Sequence, residues 1–340
     1  MAGGHRLSIT SYILFSKISS KDDRGRMKKL LFAIAMLSVW LASPVLAQEL
    51  FLENGFYMGL GPNATFMSRQ KKINYGLAAS DVPLSPTTVR DVAASPAVSI
   101  GYKFNNSDSV SLKGGEAHYS LSRSFVAPVF QAILVDGSAA IPLSDAGRRV
   151  DLDWKSNVYS LELEYQRKLW SDDLAGILGL LGFKYRYEAQ KFKANASSLS
   201  GSPIDNVDEK LKEHLYGPTA GLKLSFRPGL NSSVNINLSA NFGYLFKSAD
   251  FRAMEITNGS GSFAADDHST KGTAISSVVL DLVYSINKNW SLGGGYGFNW
   301  IHKAAHIFND NSLADGGDAS KIINSSILSQ DVGVKLIYKF

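Results

Sequence analysis

The sequence predicts an all-β fold: a transmembrane, antiparallel, up-and-down β-barrel of about ten strands, with long outer loops and short periplasmic turns. Three observations predict it. An apolar leader opens the chain, and no later stretch holds the ~20 apolar residues that a spanning helix needs. Ten segments alternate apolar and polar residues with a period of two. The connections between those segments alternate strictly between short and long.

The leader comes first. Met27-Lys28-Lys29 is a basic n-region, residues 30–41 are an apolar core, and small residues (Val45, Ala47) stand at −3 and −1 before Gln48. This is the order of a secretory signal peptide over residues 27–47, and the core is too short to span as a helix. Residues 1–26 read as an extended n-region or a start placed too early, with Met27 favoured. Cleavage near Ala47/Gln48 leaves residues 48–340 as the barrel, in the outer membrane of a Gram-negative envelope.

Composition narrows the partners. The chain has 340 residues with a formal net charge of +5, but seven bases and two acids precede Gln48. The remainder carries 28 charges of each sign, so no nucleic-acid partner is expected. Cysteine is absent, which excludes disulfides and thiolate metal sites.

The segments follow in order. Residues 55–67 carry Phe56, Met58, Leu60 and Phe66, with Pro62 expected to interrupt the ladder. Val98, Ile100, Tyr102 and Phe104 form the second apolar face. Residues 109–122 change parity around Gly114-Gly115, which predicts a β-bulge. Tyr159 to Tyr165, Leu181 to Tyr187, Tyr216 to Phe226 and Val234 to Phe246 are the next four. Val278 to Ile286, Trp290 to Trp300 and Val332 to Phe340 complete the ten. Short connections fall at Asn105–Asp108, Trp170–Asp173, Arg227–Ser232 and Asn287–Asn289, and long ones near 68–93, 125–150, 193–210, 248–272 and 303–324. Ten strands with both ends periplasmic require four turns and five loops. Aromatic residues cluster near both ends of the segments, as interfacial girdles do.

Parity then assigns the interior. Glu162, Glu164, Lys168, Lys184, Arg186, Glu188, Lys223, Asp281 and Lys335 are expected to line the lumen, pairing across it because a lone charge away from water is costly. A ten-stranded barrel leaves at most a narrow conduit, widened where Gly182, Gly221, Gly293, Gly295 and Gly297 leave room. His302 and His306 have helical metal-ligand spacing but leave a strand, and Asp310–Asp318 is acidic and glycine-rich without a full calcium-loop pattern. No metal and no cofactor are expected.

Three resemblances add to this reading. The last strand, Val332 to Phe340, resembles the C-terminal signal of outer-membrane proteins. That implies recognition by the β-barrel assembly machinery through Tyr338 and Phe340. Asp153-Trp154, Asn157 to Glu162, Tyr165-Gln166-Arg167, Gly182 to Tyr185 and Leu215 to Pro218 are similar to the Legionella-like pore-forming and related β-barrel porin families. The third resemblance is to omptins, ten-stranded outer-membrane proteases with an Asp pair in one loop and an Asp–His pair across the cleft. It implies His268 as a general base oriented by Asp266, with Asp151 or Asp153 positioning the attacking water. The parity of Asp151 and Asp153 aims them outward, so a bulge at Lys155–Asn157 is required to turn them into a cleft.

The sequence thus predicts a non-enzymatic, porin-like narrow pore or a surface-structural protein. An omptin-type endopeptidase and an adhesin acting through its outer loops are the alternatives. Its expected partners are outer-membrane lipid, lipopolysaccharide, the assembly machinery and small solutes.

Overall fold

The computed structural model describes residues 54–73, 87–127, 148–230, 232–257, 261–308 and 321–340. The leader, its cleavage site and the stretch Asp310–Asp318 lie outside them. Among the described residues the chain forms eleven strands and no helix. They are β1 (Gly55–Ile73), β2 (Thr87–Lys103), β3 (Asp108–Ala127), β4 (Arg148–Ser171), β5 (Ala175–Ser198) and β6 (Pro203–Phe226). β7 (Val234–Thr257), β8 (Gly261–Ser269), β9 (Gly272–Ser285), β10 (Trp290–Phe308) and β11 (Lys321–Lys339) follow.

Every ladder is antiparallel. β11 pairs with β1, consecutive strands pair in turn, and β6–β7 closes the ring. β8 and β9 both pair with β7 in one unbroken register, Ala249↔Ser269 above and Phe246↔Gly272 below. They are one stave interrupted at Thr270-Lys271. The ring therefore has the ten staves expected, carried by eleven strands. Closure leaves the apolar zone without an unpaired sheet edge, which lipid could not satisfy.

Side-chain amides and carboxylates set three of the four short turns. Asn105 Oδ1 accepts from Ser107 N and Asp108 N, Asp172 Oδ1 from Leu174 N and Ala175 N, and Asn287 Oδ1 from Asn289 N and Trp290 N. Each substitutes for backbone pairing where the chain reverses. Above the turns, the outward faces are apolar and solvent-free only in lipid: Leu163, Leu181, Leu238, Leu282, Leu292 and Val334 all lie exposed on the wall. Rings flank this band. Phe56, Tyr102 and Phe104 meet in tilted and edge-on contacts with centroids 4.6 and 5.1 Å apart at the turn end, as do Trp290, Tyr338 and Phe340 at 4.6 and 4.8 Å. Tyr159, Tyr187 and His214 form the corresponding row at the loop end.

Of three local expectations, two need correction and one holds in part. β3 pairs with β4 in one register from Asp108↔Arg167 to Ala127↔Arg148, so Gly114-Gly115 forms no bulge against β4, although the ladder with β2 ends there at Ala97↔Gly115. The parity change has another cause. Val110 and Leu112 face lipid, whereas Ala117, Tyr119 and Leu121 face inward and pack in a core. Secondly, Pro62 does interrupt the ladder with β11, which lapses between Leu60↔Leu336 and Asn63↔Gly333, but β1 itself continues, paired with β2 through Pro62↔Pro96. Thirdly, the supposed loop 193–210 is mostly strand: only residues 199–202 separate β5 from β6. β7 likewise runs on to Thr257.

One physical reason covers the extended hairpins. Beyond the loop-end girdle, Val150, Leu152, Trp154, Phe192, Ala194, Val207, Leu211, Ala249 and Phe251 sit on inward positions and are buried. Burying that surface favours continued strand over a solvated loop. The upper wall is thus a sheet with an apolar inside and a polar outside, the reverse of the wall below.

Candidate functional site

The site is the barrel interior, which has two unlike halves. At the turn end is a cavity of about 990 Å³. Its lining includes Asn106, Ser107, Asn287 and Lys288 of the turns, so it opens on that side. Glu162, Lys168, Lys184, Lys223, Asp281 and Lys335 all line it. Lys184 lies 3.6 Å from Glu162, and Lys335 lies 3.5 Å from Asp281. Glu164 sits deeper, accepting from Lys113 Nζ and Gln166 Nε2 at 2.7 Å each. Asp331 accepts from Thr65 Oγ1 and Asn299 Nδ2.

Of the five glycines expected to widen a conduit, Gly182, Gly221, Gly293 and Gly295 are already occupied by their neighbours, and only Gly297 has room for a Cβ. A Cβ at Gly295 would lie 2.6 Å from Asp281 Oδ1, and one at Gly293 would lie 2.9 Å from the Lys335 chain. These glycines make room for the paired charges to fold down, not for a wider bore.

Above this vestibule the described side chains fill the interior. Arg186 Nη2 donates to Glu188 Oε2 at 2.5 Å and Nη1 to Glu213 Oε2 at 3.4 Å. Ser156 Oγ donates to Glu188 Oε1 at 2.7 Å. Glu213 also holds the outer end of β10. Past Ile301 the β10–β11 register shifts, and β10 no longer pairs with the β8–β9 stave. Ala304, Ala305, His306 and Ile307 are then fully buried. Ala305 N donates to Glu213 Oε1 at 2.5 Å, and Gln190 Nε2 donates to Ala305 O at 3.0 Å. His306 Nδ1 meets Gln190 Oε1 at 3.1 Å. Lys247 Nζ bonds Asn324 on the β11 side, and Ile322 N donates to Asp267 Oδ2 at 3.0 Å. The outer β10–β11 hairpin therefore lies across the mouth, with Ile307, Ile322 and Ile327 packed among Trp154, Phe192, Leu211 and Phe251.

Gln190, Glu213 and Ser156 were not among the residues singled out from sequence, and His306 was considered there only for its spacing from His302. The signal that marks Glu213 is its parity: it shares the inner face of β6 with Leu211 and Leu215, which reverses the lipid-facing pattern of Tyr216 to Phe226.

The protease-like residues are not brought together. β4 keeps one register with both neighbours from residue 151 to 167, so the bulge at Lys155–Asn157 is absent. Asp153 pairs with Lys155 at 3.0 Å on the outer face. The Ser124 hydroxyl, and then Arg149, hold the Asp151 carboxyl below its usual range. His268 Nδ1 meets Asp250 Oδ1 at 2.7 Å, also on the outer face, and Asp266 stands opposite Arg252. β5, β6 and β7 separate the two pairs in the sheet. His302 packs on Trp300 at 5.1 Å while His306 is in the core. Among the described residues no group of three His, Asp or Glu side chains is placed to hold a metal.

At the C-terminal end, Tyr338 and Phe340 are in ring contact in the lower girdle, and Phe340 N donates to Phe56 O at 3.0 Å.

No family model matches the sequence, and no curated relative does. Solved structures of similar topology include the Escherichia coli outer-membrane protease OmpT, with a TM-score of 0.48 and 13% identity over 86% of this chain and 100% of that one. The translocator domain of the Neisseria meningitidis autotransporter NalP gives 0.43 and 10% over 94% and 97%. The Ralstonia pickettii toluene transporter TbuX gives 0.38 and 11% over 85% and 90%. Their activities differ, and likenesses this distant carry no activity across. The architecture is that of an outer-membrane β-barrel: a closed antiparallel ring, an apolar outer band between two aromatic girdles, and a polar interior.

Proposed function

We propose that this chain is a surface-structural outer-membrane protein whose lumen is closed to solutes, and that it acts through the wall it projects beyond the membrane. The observation that carries the reading is the outer β10–β11 hairpin seated across the mouth, its backbone fastened by Glu213 and Gln190. A conduit would have to pass both the Arg186–Glu188–Glu213 ion network and a dry core of side chains. Strands β4 to β7, each of 24 residues, exceed the roughly 9–11 residues needed to span and build a wall suited to presentation. Attachment through this wall, as in an adhesin, is the role such a shape serves.

Planar-bilayer recording of the purified, folded protein tests the closure. We expect no discrete conductance steps from the native chain and steps from a Gln190→Ala, Glu213→Ala double variant. Steps from the native protein would overturn the reading in favour of a narrow pore. In that case Lys184, Lys223 and Lys335 would set its ion preference.

A further inference from the structure

Four strands of the projecting wall place a cation at the same level on the outer face. Lys155 of β4 stands opposite Lys191 of β5, Lys191 opposite Lys210 of β6, and Lys210 opposite Arg252 of β7. Like charges directly opposite one another destabilise a sheet. An alternating arrangement was open to the chain, since the next row outward mixes signs as Asp153, Lys193 and Asp208.

Negative charge around the row is the scarcer sign: six cations (Lys155, Lys191, Lys193, Lys210, Lys212 and Arg252) stand with four aspartates (Asp153, Asp208, Asp250 and Asp266), Asp266 lying opposite Arg252 and Asp250 opposite Lys212. Asp208 alone serves Lys191, Lys193 and Lys210, at 3.7, 3.9 and 3.6 Å. Lys155 has Asp153 at 3.0 Å. Arg252, and Lys212 one row below, make no hydrogen bond or ion pair among the described residues, and Asp250 between them is taken by His268.

Height decides what the row meets. It lies four residues outward of the row Tyr159, Tyr187 and His214, which marks the outer water–lipid interface. At about 3.3 Å per residue and a tilt near 40°, this is about 10 Å above the rings, the level of lipid headgroups. Directly below the rings the same face continues into Leu161, Tyr185, Tyr216 and Phe246, which face the acyl chains.

We propose that Lys155, Lys191, Lys210 and Arg252 form a binding site for the phosphate groups of a phosphorylated glycolipid of the outer leaflet. A molecule with acyl chains and two phosphates spans this face from the apolar band to the cation row, and its phosphates relieve the repulsion within the row. Lys212 lies on its path. The site gives a location to the lipopolysaccharide contact expected of the barrel and is independent of whether the lumen conducts.

The test compares the folded chain with a Lys155→Gln, Lys191→Gln, Lys210→Gln, Arg252→Gln variant. Thermal unfolding is followed in phosphatidylcholine vesicles, with and without bisphosphorylated lipid A. In plain vesicles the variant is at least as stable as the native chain, because repulsion has been removed. Adding lipid A raises the native melting temperature and leaves that of the variant unmoved, and binding of lipid A to the variant is weaker by about tenfold or more. Dephosphorylated lipid A protects neither. The proposal is overturned if lipid A protects both proteins alike, or if the dephosphorylated lipid protects as well. It is also overturned if a soluble sulfated polysaccharide protects the native chain while lipid A does not, which would make the row a receptor for soluble polyanions.

Discussion

Arg186 and Glu188 stand two residues apart on the inner face of β5, and their guanidinium and carboxylate meet at 2.5 Å in a buried position. Glu213 of β6 completes the group from the other side of Arg186. One cation therefore serves two buried carboxylates, and those carboxylates in turn fasten Ser156 and the backbone of Ala305.

Replacing Arg186 by Met should therefore cost more than a surface charge does. It removes the guanidinium that pairs with both Glu188 and Glu213, and losing one member of such a buried group costs about 3–5 kcal/mol. Urea unfolding in detergent, followed by tryptophan fluorescence, should show the drop. Adding Glu188→Gln and Glu213→Gln to the same chain should recover part of it. No recovery would mean that Arg186 acts by packing alone.

Tryptophan position gives a second test. Trp154 is 1% exposed in the outer core, whereas Trp170 is 49% exposed on the lipid-facing wall. In single-tryptophan variants reconstituted with brominated lipid, Trp170 and Trp290 should be quenched and Trp154 should not. Quenching of Trp154 would place the inner face of β4 in lipid and refute the parity reversal at the rim.

Charge insertion tests the same parity lower down. Leu163→Arg puts a cation on the lipid side near mid-membrane, at a cost of about 2–4 kcal/mol. Gln166→Arg puts it in the solvated vestibule, where Gln166 already bonds Glu164. Equal losses of folding free energy in the two variants would contradict the assigned faces.

Gly101 faces the ring of Tyr57, and a Cβ at this position would overlap that ring. Gly101→Ala should destabilise by about 1–3 kcal/mol through overpacking. Tyr57→Ala in the same chain should relieve most of the clash, which a double-mutant cycle of unfolding free energies would detect.

Much of the barrel is legible in the chain itself, because lipid imposes a simple pattern. Tyr159, Leu161 and Leu163 against Ser160, Glu162 and Glu164 mark the two faces of β4 without further information, and Asp331 to Lys339 do the same for β11. Where both faces of a strand are ruled by water and a protein core, that pattern inverts. Ala117, Tyr119 and Leu121 read as a register fault because apolar residues had changed sides while the backbone had not. Phe192 to Ala196 and Val207 to Leu211 read as loop for the same reason, their outward neighbours being lysines and acids.

The sequence by itself determined the period-two faces, the turn positions and the inward charges, since each depends on residues within a few positions of one another. Only the tertiary structure decided where the outer end of β10 packs. That outcome depends on β10 leaving the wall past Ile301 and meeting Gln190 and Glu213, more than ninety residues earlier in the chain. No local pattern specifies which distant inner face a strand end will bury itself against. The choice is made by the summed burial of apolar surface and the satisfaction of buried polar groups, which exist only once the ring has closed.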